Sequence, residues 1–163
     1  RRGIVERGIG LDLSAAMIAE ARRRADAAGL TGLEFHECDW PSPPAAVDER
    51  LAAARPDLVV FASSLHYADD VRPWLEESRR TLVPGGLVAI LERAPERSLL
   101  TRAWGWAHRL LLRDGAEFTA TPELLAALRE TGFGDARVTA ELKRWLWHGK
   151  VITSMALVTA RAP

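Results

Sequence analysis

The sequence predicts an α/β protein, a doubly wound and mostly parallel sheet with an antiparallel strand pair at its C-terminal end. Three observations carry that prediction. Short apolar runs alternate with segments of helical periodicity along most of the chain. The strongest turn signals, Pro41-Ser42-Pro43-Pro44 and Pro84-Gly85-Gly86, fall between such segments. Only Lys143–Lys150 separates the last two strand-like runs, which is too short for a crossover helix and favours an antiparallel pair.

Taken in order, Gly8-Ile9-Gly10-Leu11-Asp12 reads as a strand ending in an acid. Ser14 is placed to cap the helix that follows. Met17, Ala21, Ala25 and Ala28 recur at helical spacing as its apolar stripe, and Gly29 suits its stop. Arg22-Arg23-Arg24 is the longest like-charge run. Glu20 and Arg24 have the i,i+4 spacing of an exposed helix face. Leu33–Cys38 alternates like a half-buried strand and leads into Asp39-Trp40. Ala45–Ala54 reads as a short helix. Leu58–Ala62 is a continuous apolar run, expected to be buried on both faces. Val71, Trp74, Leu75, Ser78 and Leu82 mark one stripe of a helix, and Leu87–Leu91 is the next strand. Leu99, Leu100, Ala103, Ala107, Leu110 and Leu111 predict a further helix. Thr121-Pro122-Glu123 starts another, which closes at Gly132. Ala136–Leu142 and Val151–Ala160 are the last two strands.

The chain has 163 residues, the size of one domain, and residues 1–163 are expected to form a single one. Lys plus Arg and Asp plus Glu each number 22, so the formal net charge is zero. Such a balance leaves no electrostatic footprint for nucleic acid or an anionic membrane. The 48% hydrophobic and 27% charged composition is that of a folded chain rather than a disordered one. The single cysteine, Cys38, excludes an internal disulfide framework and a multi-Cys zinc site, and within a strand it reads as inert. The four histidines lack the close spacing of a zinc site, so no metal is expected. The longest uncharged runs, Leu58–Ala68 and Thr81–Leu91, fall well short of the roughly 18 apolar residues a membrane span needs. No export signal is readable, and a cytoplasmic location follows by default.

In sheets of this kind, ligands bind beyond the carboxyl ends of the strands. That rule directs attention to Asp12, Asp39 and the segment Ser63–Tyr67. An acid at such a strand tip can accept hydrogen bonds from both hydroxyls of a ribose, and Asp12 is placed for this. A carboxylate at Asp39 could accept from an exocyclic amine such as that of adenine. Leu13 and Trp40 follow the two acids and could flank a flat base. Two acids spaced by a strand-helix-strand unit suit an adenosine moiety without phosphates. Strand-end aspartates are also common turn formers, so each acid has a local reading too. His66, in Ser64-Leu65-His66-Tyr67, is the best-placed general base, and it could equally pack or cap its loop. His36 alternates within a strand and reads as structural. Ser63 and Ser64 do not form a G-x-S-x-G elbow, which argues against a hydrolase nucleophile. Trp104, Trp106, Trp145 and Trp147 leave three readings open: an aromatic lid over an apolar or ring-bearing ligand, core packing, or a homodimer surface.

The segment GIGLDLSAAM, Gly8–Met17, resembles the second-strand region of class I S-adenosylmethionine-dependent methyltransferases of the small-molecule kind. So does its continuation, AEARRRADAAGL into LEFHECD. PDLVVFASSLHYADD, Pro56–Asp70, is similar to their fourth strand and its loop. RRTLVPGGLVAILE, Arg79–Glu92, is similar to their fifth-strand segment, and TATPELLAALRETGF, Thr119–Phe133, to the helix before their closing strand pair. The resemblance implies a Rossmann-like sheet, S-adenosylmethionine as cofactor, and methyl transfer to a small-molecule acceptor. It implies that Asp12 binds the ribose hydroxyls and that Leu13 and Met17 pack near the adenosine. Asp39 would meet the adenine amine with the Trp40 backbone alongside, and Ser63 would line the methionine end and the transfer site.

One departure accompanies the match. The family opens with a strand and a GxGxG-like loop, and no such segment stands upstream of Asp12; Gly3, Gly8 and Gly10 lead instead into the strand. The sequence begins Arg1-Arg2-Gly3, without Met, and is expected to lack that first, central strand. Two alternatives stand beside the methyltransferase reading. An NAD(P)-dependent Rossmann-type oxidoreductase would leave Asp39 and the Pro84-Gly85-Gly86 turn without a role. A non-catalytic remnant would bind no cofactor.

Overall fold

The computed structural model describes residues 6–95, 121–147 and 150–163, the side chains of 93–95, 142–147 and 150–154 excepted. The chain falls into two compact units, Arg1–Arg55 and Pro56–Pro163. Its described strands form a two-stranded and a four-stranded sheet, mixed parallel and antiparallel.

The first unit holds strand β1 (Gly8–Asp12), helix α1 (Ala15–Ala27), strand β2 (Leu33–Glu37) and helix α2 (Ala45–Ala54). β1 and β2 pair in parallel, from Gly8 opposite Leu33 to Asp12 opposite Glu37. Parallel neighbours need a crossover, and α1 supplies it. Ser14 caps α1 as its sequence predicts, its hydroxyl accepting from the Met17 N–H. The helix stops in a Schellman turn. Gly29 takes φ +67° and donates to the Asp26 carbonyl, while the Leu30 N–H donates to the Ala25 carbonyl at 2.9 Å. The buried stripe of α1 differs from the one read in the sequence. Ile18 and Ala25 are buried, whereas Met17 and Ala28 are exposed. Ile18 is the bulkier apolar group and has Ala25 two turns below it, so the helix turns by one position, about 100°, to bury that line. Cys38, Val47 and Leu51 form a second cluster, with Ile9, Leu11 and Trp40 packed against it.

The second unit runs through strand β3 (Leu58–Ala62), a 3-10 turn (Leu65–Tyr67), helix α3 (Val71–Thr81), strand β4 (Leu87–Pro95), helix α4 (Thr121–Glu130), strand β5 (Gly134–Trp147) and strand β6 (Lys150–Arg161). Its sheet has the order β3-β4-β6-β5. β3 and β4 are parallel, and β6 runs antiparallel to both β4 and β5. The antiparallel C-terminal pair is therefore present, with β6 inside the sheet and β5 at its edge. Both strands are longer than their apolar patterns indicate. The ladder continues through Lys143 to Trp147, opposite Lys150, because pairing with β6 rather than side-chain alternation decides where β5 ends. Leu75 and Ser78 of α3, Val88 and Ile90 of β4, Leu128 of α4 and Val158 of β6 form the fully buried centre. α4 lies against α3, β5 and β6. It ends in a second Schellman turn at Gly132, φ +87°, where the Phe133 N–H reaches the Leu128 carbonyl at 2.9 Å.

β3 departs from the expectation of burial on both faces. Phe61 is buried, but Leu58 is 41% and Val60 57% exposed. Residues 58 and 60 share one face of the pleat, and that face stands partly open to solvent. The predicted helix over Leu99–Leu111, and with it Trp104, Trp106 and His108, lies outside the described residues, as does His148. Trp145 and Trp147 are placed in β5 by their backbone alone. No helix among the described residues is long and apolar enough to cross a membrane.

Candidate functional site

In the first unit, parallel pairing sets the carboxyl ends of β1 and β2 side by side. The last rung is a bond from the Cys38 N–H to the Asp12 carbonyl at 3.1 Å. Asp12 stands at the tip of β1 and Asp39 two residues past the end of β2, and both are exposed. The structure thus brings these two sequence-predicted acids to adjacent strand tips. One Asp12 oxygen accepts from the Ser14 N–H at 2.8 Å, so the residue does shape the turn into α1. A carboxylate offers about four lone-pair sites, and this bond occupies one of them. Leu13 and Met17 follow Asp12 with 71% and 57% of their surfaces open to solvent. Trp40 is partly buried against the Cys38–Val47–Leu51 cluster, which fixes the chain just after Asp39. Burial pushes the Cys38 thiol up, and the neighbouring Asp39 charge adds to the effect, as suits an inert buried cysteine. His36 lies with Nε2 3.4 Å from a Glu34 carboxylate oxygen, within the β1–β2 pair.

In the second unit, Ser63 follows β3 with φ +56°, a left-handed conformation uncommon for any residue but glycine. Its N–H still reaches the Leu91 carbonyl at 2.9 Å, which holds the residue there while the chain turns out of the sheet. Strained residues of this kind concentrate at functional sites. The 3-10 turn that follows buries Leu65 and brings His66 inward, its side chain 12% exposed. His66 Nδ1 lies 3.1 Å from one carboxylate oxygen of Glu92. The other oxygen accepts from the Leu65 N–H at 2.7 Å. Tyr67, largely exposed, has its ring centroid 4.1 Å from that of His66.

Glu92 is the residue that sequence reasoning missed. It closes the apolar run Leu87–Leu91, so a search for acids that end apolar runs finds it, although β4 itself continues to Pro95. Its parity along β4 is the informative part: Val88, Ile90 and Glu92 share the buried face.

Residues 1–86 match the family described as a methyltransferase domain, just over half of the 163 residues. The chain belongs to the methyltransferase domain family. Solved structures of methyltransferases share its fold. The S-adenosylmethionine-dependent methyltransferase SibL, in its apo form, aligns with 96% of this chain at TM-score 0.69 and 22% identity. The YcgJ protein of Bacillus subtilis aligns with 96% at TM-score 0.72 and 16% identity. A phosphoethanolamine N-methyltransferase of Haemonchus contortus, in complex with S-adenosyl-L-methionine, aligns with 95% at TM-score 0.74 and 15% identity. The chain spans 43% of the length of SibL, 82% of YcgJ and 43% of the Haemonchus enzyme. No curated protein matches its sequence.

Proposed function

We propose that residues 1–163 belong to one S-adenosylmethionine-dependent methyltransferase domain that acts on a small-molecule acceptor in the cytoplasm. The observation that carries the reading is the placement of Asp12 and Asp39 at the carboxyl tips of two parallel, in-register strands, inside the family-matched residues. The residues present fit the nucleoside of this cofactor. Asp12 keeps acceptor capacity beyond its bond to Ser14, Asp39 is exposed, and the apolar side chains of Leu13 and Met17 stand open beside Asp12. The zero net charge supports a small molecule rather than nucleic acid as the acceptor.

When bound, S-adenosylmethionine supplies a methyl group on a sulfonium, an electrophile with a neutral thioether as its leaving group. The chain's own contribution is to hold and orient. In this reading Asp12 accepts from the ribose hydroxyls and Asp39 from the adenine amine. Leu13 and Met17 cover the adenosine, and the Trp40 backbone lies along it. Ser63 lines the methionine end. His66 takes the proton from an acceptor oxygen or nitrogen that must lose one, and positioning does the rest.

Isothermal titration calorimetry of the full chain with S-adenosylmethionine and S-adenosylhomocysteine tests the reading. Saturable binding of either supports it. Binding of NADH in their place, or no binding by a folded chain, sinks it.

A further inference from the structure

Glu92 is a buried acid for which the chemistry above has no use. It continues the β4 face of Val88 and Ile90 and stands opposite Ala156 of β6, itself buried. A carboxylate on such a face is unfavourable unless its oxygens are hydrogen-bonded, and both are: one to the Leu65 N–H, the other to His66 Nδ1. The two partners are consecutive residues of one 3-10 turn. A single carboxylate therefore fixes the path of the backbone and the orientation of the imidazole together.

We propose that Glu92 is the positioning residue of His66, holding the ring hydrogen on Nδ1 and so making Nε2 the proton-accepting nitrogen. The proposal rests on the reading of His66 as the base. An ionised carboxylate only accepts, so the ring nitrogen facing it must carry hydrogen. In neutral imidazole the other nitrogen then holds the lone pair. The Leu65 N–H, engaged at 2.7 Å, keeps the carboxylate from rotating away.

The Glu92→Gln variant makes this testable without cofactor or acceptor. A backbone N–H can only donate, so Leu65 claims the amide oxygen of the new side chain. That leaves the amide NH2 facing His66 Nδ1, which must become an acceptor, and the ring hydrogen moves to Nε2. Long-range proton–nitrogen NMR on the full chain with 15N-histidine reads the tautomer at alkaline pH, with the His66 signals identified by their loss in His66→Gln. The expected result is a pyridine-type nitrogen at Nε2 in the natural protein and at Nδ1 in Glu92→Gln. Hydrogen on Nε2 in the natural protein, or the same tautomer in both, overturns the proposal. Should Glu92→Gln fail to fold, the natural protein decides alone: a pyridine-type nitrogen at Nε2 supports the proposal, and hydrogen on Nε2 overturns it. The ring signals do not depend on bound cofactor, so a failure of S-adenosylmethionine binding and a failure of the Glu92–His66 pairing are separate results.

Discussion

Replacing Asp12 tests its proposed grip on the cofactor against its local role in the turn. Its bond to the Ser14 N–H, 2.8 Å long and exposed, is a local turn interaction worth about 0.5–1 kcal/mol of stability. A carboxylate gripping two ribose hydroxyls is worth more: each charge-assisted bond contributes about 1.5–3 kcal/mol, or about 3–6 for the pair. Asp12→Ala removes the turn bond and the proposed grip together. It should weaken S-adenosylhomocysteine binding by roughly 10²–10⁴-fold while costing the fold little. Asp12→Asn keeps an oxygen for the Ser14 N–H but gives up the charge and one acceptor. It should leave the urea midpoint near that of the natural chain and still weaken binding by roughly 10–100-fold. Calorimetry reads the affinity and urea denaturation the stability. An Asp12→Ala protein that binds within about threefold of the natural affinity would refute the reasoning, because a change that small is less than one ordinary hydrogen bond.

Other outcomes follow from single features of the structure. Leu75 has no exposed surface, and Leu75→Ala should lower stability by about 2–5 kcal/mol, read as a fall in urea midpoint at unchanged slope. Gly29→Ala should cost about 1–2 kcal/mol by the same measurement. Nothing lies within 4 Å of the added Cβ, so the cost is that of a left-handed backbone alone, and Gly29→Asn should cost less. Arg23 and Arg24 hold the Glu20 carboxyl well below its ordinary value, at about 2. Any stabilisation from this group is fully present above pH 4.5 and fades as pH falls through about 2. Carboxyl NMR should place the Glu20 midpoint there and show it rise in Arg23→Ala and Arg24→Ala. Because the carboxylate is solvent-accessible, added salt should move it the same way.

The described strands and α-helices were legible in the sequence. Ser14 before an apolar-spaced segment and the glycines at 29 and 132 mark where helices begin and end, because caps and left-handed stops depend on neighbouring backbone alone. The strand-helix-strand order of residues 8–37 implied a parallel pair, and with it the meeting of Asp12 and Asp39 at adjacent tips. The placement of two acids at that end of the sheet was therefore readable from the acids and the element between them.

Tertiary structure decided what depends on distant partners. Periodicity placed the α1 stripe on Met17; packing moved it to Ile18, because hydrophobic pattern names a side of a helix only to within a position or so. An apolar run at Leu58–Ala62 said nothing about which of its faces would find cover. No local signal indicated that β6 would insert between β4 and β5, since that choice belongs to a ladder closed between residues far apart in the chain. The same holds for the pairing of His66 with Glu92, which are 26 residues apart. Sequence could propose a histidine in a loop and an acid at a strand end. Only the β3–β4 register, whose last pair is Ala62 with Leu91, sets Glu92 beside the turn that leaves β3, and so gives the imidazole its partner.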